Sequence, residues 1–408
     1  MGILGIRGGT PVRRSLFPSW PITGPEDEQA LLEVLHSGRW FLADRIEAFQ
    51  TRFAAFQQAR FGIGLSSGTT ALQVALEAVG LRPGDEVIVP AYTFVATASS
   101  VAECGGIPIF ADVQPDTYNI DPASVAAAIT AQTRAIVPVH IGGRPADLDA
   151  ILALARPRGI RVIEDACQAH AAAWRGRRVG AIGDMGAFSF QASKNLCAGE
   201  GGFLTTDDEE LYARAWSLHN CGRVRQGAWY EHPVIGSNYR MSEFHAALLL
   251  SQMRNLEEQT ATRTRNAALL TRLLAEIDGV EPLAADERVT VHANHLYILR
   301  YRREAFGGAP RDRFLAALRA EGIPCSAGYR PLYLEKAFSL TFAERPFHSA
   351  YFGGKPDYTK VCCPVTERIC ADEAVWFTQN MLLGPPTDME DIAAAIAKIR
   401  QHCDELAE

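Results

Sequence analysis

Val162-Ile163-Glu164-Asp165-Ala166-Cys167-Gln168-Ala169 closes a short apolar run on two acids, and 29 residues after Asp165 the stretch Phe188-Ser189-Phe190-Gln191-Ala192-Ser193-Lys194-Asn195 closes another on a lysine. Each run reads as a buried strand ending in a polar residue. Polar residues at the carboxyl ends of parallel strands point into the crevice where open α/β sheets bind ligands. Working outward, short apolar runs alternate with helical patterns from about residue 60 to 206. The expected strands are 86–89, 107–111, 135–139, 161–164, 186–190 and 202–205. Amphipathic stretches such as 69–78 and 147–156 lie between them, opened or closed by Gly, Pro or Asp. This is the βαβ rhythm of an α/β fold, a mostly parallel central sheet flanked by helices.

Beyond the sheet, a long polar-faced helix is expected over 242–274, with Phe244, Leu248, Met253 and Leu256 as its apolar positions. It bridges to a smaller C-terminal α/β domain containing a strand at 295–300, a helix at 311–321, a loop-rich insert at 338–359 and a terminal helix at 387–407. The expected division is a large domain, 1–256, and a small one, 257–408, consistent with a 408-residue chain exceeding the usual size of one domain. There is no internal repeat.

Composition narrows the function. Apolar residues at 48% and charged residues at 21% match an ordinary globular chain with no disordered arm. Forty basic against 47 acidic residues give a net charge of −7, spread along the chain, which disfavours nonspecific attraction to nucleic acid or anionic membrane. No apolar run reaches the roughly 18 residues of a membrane span, and the first residues lack the apolar centre of a signal peptide. A cytoplasmic enzyme for small molecules is expected. The nine cysteines include no Cys-x-x-Cys pair and are read as reduced thiols. The histidines His170, His219 and His295 show no metal spacing, so no metal is expected.

Three motifs carry chemistry. Leu65-Ser66-Ser67-Gly68-Thr69-Thr70-Ala71-Leu72 is a small-residue turn entering a helix, where free backbone N–H groups and hydroxyls make a phosphate site. Asp165 supplies a carboxylate at a strand end. Lys194 lies between an apolar strand and the glycine-rich Gly199-Glu200-Gly201-Gly202, unlike a typical surface lysine. An acid to pair with a pyridinium nitrogen and a later amine for a Schiff base are what a pyridoxal 5′-phosphate (PLP) enzyme needs. Burial of Lys194 would lower its pKa and supply the neutral amine for proton transfer. Ser189 could add a hydroxyl to the phosphate.

The order and spacing of these elements resemble the DegT/DnrJ/StrS family of sugar aminotransferases, PLP enzymes of fold type I, the aspartate aminotransferase-like class. The resemblance runs from Gly8-Gly9-Thr10-Pro11-Val12 through Pro90-Ala91-Tyr92-Thr93-Phe94-Val95-Ala96-Thr97 to Gly236-Ser237-Asn238-Tyr239-Arg240-Met241-Ser242-Glu243. It implies that Ser67, Gly68, Thr69 and Ser189 hold the cofactor phosphate and that Phe94 stacks on the pyridine ring. It also implies that Asp165 pairs with the ring nitrogen, that Gln168 lies near the ring hydroxyl and that Lys194 forms the Schiff base. Asn238 would reach the phosphate of a neighbouring subunit, so that a homodimer shares its active sites. Trp40 resembles an aromatic near the substrate. Tyr329 and Arg330 match a region where family members often carry a histidine, a departure that points to a different substrate head group.

The implied reaction passes an amino group from L-glutamine or L-glutamate, by way of pyridoxamine 5′-phosphate, to a polyhydroxylated ketone. Lys194 favours transamination, because dehydratase members carry a histidine at that position. The stretches Cys363-Pro364-Val365-Thr366-Glu367-Arg368 and Glu373-Ala374-Val375-Trp376 look closest to the glutamine:scyllo-inosose aminotransferases of aminocyclitol antibiotic pathways. The alternatives are a nucleotide-linked keto-sugar as acceptor, an aminohydroxybenzoate-forming PLP lyase, and a PLP-binding regulator without turnover. The sequence shows no cluster of Arg or Lys suited to a nucleotide diphosphate, which favours an uncharged keto-cyclitol.

Overall fold

The structure is a computed structural model that describes residues 2–339 and 357–406. A seven-stranded sheet is built from β1 (Phe61–Leu65), β2 (Glu86–Pro90), β3 (Ile107–Ala111), β4 (Thr133–Ile136), β5 (Arg161–Asp165), β8 (Met185–Ser189) and β9 (Gly202–Thr206). Two short strands, β6 (Ala173–Trp174) and β7 (Arg177–Arg178), lie between β5 and β8 in the chain and pair outside this sheet. The spatial order is β1-β9-β8-β5-β4-β2-β3. Neighbours from β3 to β8 run parallel, and β9 runs antiparallel to both β8 and β1. The sheet is therefore mostly parallel, as expected of fold type I.

The N-terminal helices are α1 (Pro25–Ser37), α2 (Asp44–Phe56), α3 (Gly68–Ala78) and α4 (Ala96–Glu103). Further along come α5 (Pro122–Ala128), α6 (Leu148–Ala155) and α7 (Glu209–His219). On one face α3 buries Ala71, Leu72, Val74, Ala75 and Leu76 into the cluster containing Val87, Val89 and Ile163. On the other, α2 inserts Phe49 and Phe53 among Phe188, Phe190 and Phe203.

β1 was not among the expected strands. Glycines at 62 and 64 weaken its strand signal. They are there because facing side chains take the room: a Cβ at Gly62 would lie 2.3 Å from Cζ of Phe203, and one at Gly64 2.7 Å from Cδ1 of Ile46. The expected strand at 135–139 instead ends at Ile136. Pro138 has no N–H to continue the ladder, but its carbonyl accepts from the Asp165 amide at 2.9 Å. Pairing then resumes as a single bridge between Val139 and Asp165.

The helix expected over 242–274 is two helices, α8 (Glu243–Gln252) and α9 (Leu256–Leu274), separated by a tight turn at Met253–Asn255. Ser242 caps the first, accepting from the His245 amide. Of the expected apolar positions Leu256 is buried, but the buried face of α8 is not the expected one: Ala246, Ala247, Leu249 and Leu250 are buried, whereas Phe244, Leu248 and Met253 are only half-buried. α8 packs against α1 and α2, and α9 against the C-terminal helix Pro386–Gln401.

β11 (Val289–Val291) pairs with β6. A separate antiparallel sheet, in the order β10-β12-β13, joins β10 (Val280–Pro282), β12 (Leu296–Tyr301) and β13 (Ala374–Thr378). It is covered by α9, α10 (Arg311–Ala320) and the C-terminal helix around Leu299, Phe314, Val375, Phe377 and Ile392. The N-terminal segment packs on this second core: Leu4 is buried in it, and the buried Arg13 pairs with Asp388 at 2.7 Å. Of the expected insert at 338–359, residues 340–356 lie outside the described residues, as does the last residue of the expected terminal helix. No described helix is long and apolar enough to cross a membrane.

Candidate active site

Strand ends, the start of α3 and the end of β13 meet around a cavity of about 930 Å³. Ser67, Gly68, Thr69, Phe94, Asp165, Gln168, Ser189, Lys194 and Tyr329 all line it. The phosphate turn comes first. Ser67 caps α3 by accepting from the Thr70 amide at 3.1 Å, while Thr70 Oγ1 accepts from the Ser67 amide at 3.0 Å. The cap uses one lone pair of the Ser67 hydroxyl and leaves the Gly68 and Thr69 amides at the helix start as anion donors. A side chain at 68 is excluded, since a Cβ there would lie 2.8 Å from that of Ser189 and 2.9 Å from Sγ of Cys167. The glycine that opens β9 has the same origin: a Cβ at Gly202 would approach the Ser67 carbonyl oxygen to 2.0 Å.

Asp165 ends β5 with only 5% exposure. Oδ2 accepts from the hydroxyl of Thr97 at 2.8 Å and Oδ1 from the Cys167 amide at 3.2 Å. Because the Thr97 proton is committed to the carboxylate, its oxygen accepts from Thr93, 3.1 Å away. Each carboxylate oxygen keeps a lone pair for a cationic partner. Lys194 sits in the loop after β8, tied down by its amide to the Gln191 carbonyl at 2.9 Å and by the Ala192 amide to Gly199 at 3.0 Å. Burial of the amine dominates its titration and lowers its pKa from the ordinary lysine value, against the opposing pull of Cys167 and Asp165.

The amide of Gln168 is oriented by its partners. Oε1 accepts from the Gly142 amide at 2.8 Å, and Nε2 donates to the Tyr329 hydroxyl at 2.9 Å. Tyr329 packs edge-on against Trp376 and Tyr92, and burial raises its phenol pKa well above the ordinary value. Phe94 is 56% exposed at the cavity wall, available to a planar ring.

These residues fit PLP: helix-start amides with Ser189 for a phosphate, a buried carboxylate for the ring nitrogen, an aromatic face and a lysine whose pKa is lowered by burial. Three expected site residues lie elsewhere. Asn238 is exposed outside the cavity, paired in a bridge with Asn220. Trp40 is 52% exposed against Phe244, and Arg330 is exposed, with Glu335 3.8 Å away. The lining also includes Trp20, His295, Gln379 and Asn380, to which the sequence assigned no such place. Among the described residues no cluster of His, Cys, Asp or Glu is arranged to hold a metal.

Residues 21–375 match the DegT/DnrJ/EryC1/StrS aminotransferase family. An L-glutamine:2-deoxy-scyllo-inosose aminotransferase from Streptoalloteichus tenebrarius is 40% identical, the alignment covering 99% of both chains. The L-glutamine:scyllo-inosose aminotransferase of Streptomyces griseus is 38% identical, again over 99% of both. The crystal structure of 3-amino-5-hydroxybenzoic acid synthase superposes with a TM-score of 0.86 at 35% identity, covering 95% of this chain and 98% of the other. With fold, cavity and relatives in agreement, this chain belongs to the DegT/DnrJ/EryC1/StrS aminotransferase family and is a PLP-dependent aminotransferase.

Proposed function

We propose that the chain transfers the amino group of L-glutamine or L-glutamate to an uncharged keto-cyclitol of the scyllo-inosose type, in the cytoplasm, as a step of aminocyclitol antibiotic biosynthesis. The observation that carries the acceptor class is charge: among the described residues, Lys194 is the only Lys or Arg lining the cavity. Two phosphates would ordinarily call for guanidinium or ammonium partners at the pocket. The names of the two glutamine-dependent relatives support the same donor and acceptor.

In this reading Gly68, Thr69 and Ser189 hold the cofactor phosphate, Phe94 covers the ring, Gln168 lies near the ring hydroxyl, and Asp165 keeps the ring nitrogen protonated. Bound PLP supplies an electron sink for a substrate carbanion. Lys194 Nζ moves the proton between substrate carbon and cofactor, and its lowered pKa leaves more of the amine neutral to accept it. Trp40 and Asn238 belong to the shared site of a homodimer, Asn238 reaching the partner's phosphate. Their exposure outside this chain's cavity supports that arrangement.

The test is a steady-state comparison with glutamine as donor, setting keto-inositols against nucleotide keto-sugars. The keto-inositols should give the larger kcat/KM. A much larger value for any nucleotide keto-sugar would overturn the acceptor class, and a product formed without amine transfer would overturn the reaction.

A further inference from the structure

Arg263, on α9, is fully buried, and its charge meets no carboxylate among the described residues. Burial lowers its pKa to about 9, so it remains a cation at neutral pH. Its Nε and Nη2 both donate to Oε1 of Gln379, at 2.9 and 2.5 Å, and its guanidinium lies 5.2 Å from the ring centroid of Trp20. Nη1 is buried and without a partner. An unpaired buried cation is destabilising, which calls for a compensating use.

Gln379 follows β13 and is 2% exposed, yet it lines the cavity, as does Trp20. A guanidinium only donates, so two bonds from Arg263 fix which end of the Gln379 amide is oxygen. Nε2 has no partner among the described residues and is the end left for a ligand. Gln379 therefore offers N–H donors, backed by a positive charge one hydrogen bond deeper. A hydroxyl needs no such charge; an anion does.

We propose that Gln379, oriented and polarised by Arg263, is the subsite for the α-carboxylate of the amino-acid donor. Gln379 is the contact residue and Arg263 its positioning residue. The assignment rests on the aminotransferase reading above and adds where the donor is held.

Gln379→Glu is the decisive variant. It pairs with Arg263 and so keeps the buried cation satisfied, while cancelling its charge and replacing N–H with oxygen. The probe is glutarate, a carboxylate that cannot transfer an amine, titrated calorimetrically into the PLP-loaded dimer. Wild type should bind it, and Gln379→Glu should weaken binding at least 10-fold. The KM for the keto-inositol should stay within about twofold. Arg263→Lys, which keeps the charge but not the two-point hold, should also weaken glutarate without moving the keto-inositol KM, a selectivity that a merely structural arginine would not show. Unchanged glutarate binding in Gln379→Glu overturns the proposal, as does a loss confined to the keto-inositol KM. Absence of amine transfer in wild type, with glutarate binding still lost in the variant, would sink the proposed reaction and leave the carboxylate subsite standing.

Discussion

Replacing Thr97 by Val removes one hydrogen-bond donor from the carboxylate that faces the cofactor site while keeping the β-branched shape. Thr97 is 1% exposed and its hydroxyl donates to Asp165 Oδ2 over 2.8 Å, a charge-assisted bond shielded from water. Bonds of this type contribute about 1.5–3 kcal/mol. If that energy holds Asp165 in the geometry used in the transition state, its loss lowers kcat by roughly 10- to 100-fold, since about 1.4 kcal/mol is a factor of ten. The variant also strands the Thr93 hydroxyl, 3.1 Å from the lost oxygen, which adds a stability loss of about 1 kcal/mol. The assay is single-turnover amine transfer from glutamine, read beside the unfolding midpoint. Thr97→Ser restores the oxygen without the methyl group and should recover most of kcat even though it leaves a small void. A Thr97→Val enzyme within twofold of wild type would refute the reasoning, and so would a serine variant as impaired as the valine.

Two further outcomes follow from the site and the core. Lys194→Ala and Asn238→Ala, each impaired alone, should regain activity when mixed under subunit exchange, up to roughly half per heterodimer; no recovery despite proven exchange means that each site comes from one chain. Acid should weaken the fold through His170, whose pKa is lowered to about 3, first by burial and then by Lys194. Its unfolded value is about 6.5, so its contribution is complete above that pH and declines as pH falls towards about 3. At pH 5 the loss is about 2 kcal/mol and depends only on the distance to the unfolded value. Urea unfolding of His170→Leu should therefore lose about 2 kcal/mol less than wild type between pH 7 and 5, and an equal loss in both refutes it.

The legible part of the site is the part built by strand ends. Asp165, Ser189 and the loop bearing Lys194 follow apolar runs of ordinary strand length, and the capped turn at Ser67 carries its own hydroxyl signature, so position along the chain predicted proximity in space. The illegible part arrives by docking. Gln379 follows an unremarkable strand, and Arg263 sits in a helix of mixed composition; only the packing of α9 against the segment after β13 sets Arg263 behind Gln379 at the cavity wall. Local rules also failed where a neighbour overrode propensity, as at Gly62 and Gly64, whose place in β1 is set by Phe203 and Ile46. The register of α8 was misjudged for a similar reason: its apolar residues surround it, and the choice of buried face is made by α1 and α2.

Glu164 and Asp165 show how one strand end yields a structural acid and a functional one. Successive side chains on β5 point to opposite faces. Glu164 is fully buried, and there its Oε2 accepts from the Gly180 amide at 2.7 Å and from His140 Nε2 at 3.0 Å. His140 is held in that tautomer because its Nδ1 accepts from the Ala146 amide at 3.0 Å, leaving the proton on Nε2. Oε1 takes the amides of Ile182 and Gly183 at 2.8 and 2.6 Å. Burial alone would raise the Glu164 pKa, yet His140 and these amides outweigh it and hold the carboxyl below its ordinary value. The negative charge is thus fully used in clamping the 180–183 turn. That turn leads directly into β8, which pairs Ala187 with Asp165 and then delivers Ser189 and the Lys194 loop. The acid facing away from the cavity sets the register that places the lysine, and the acid facing into it keeps lone pairs for the cofactor.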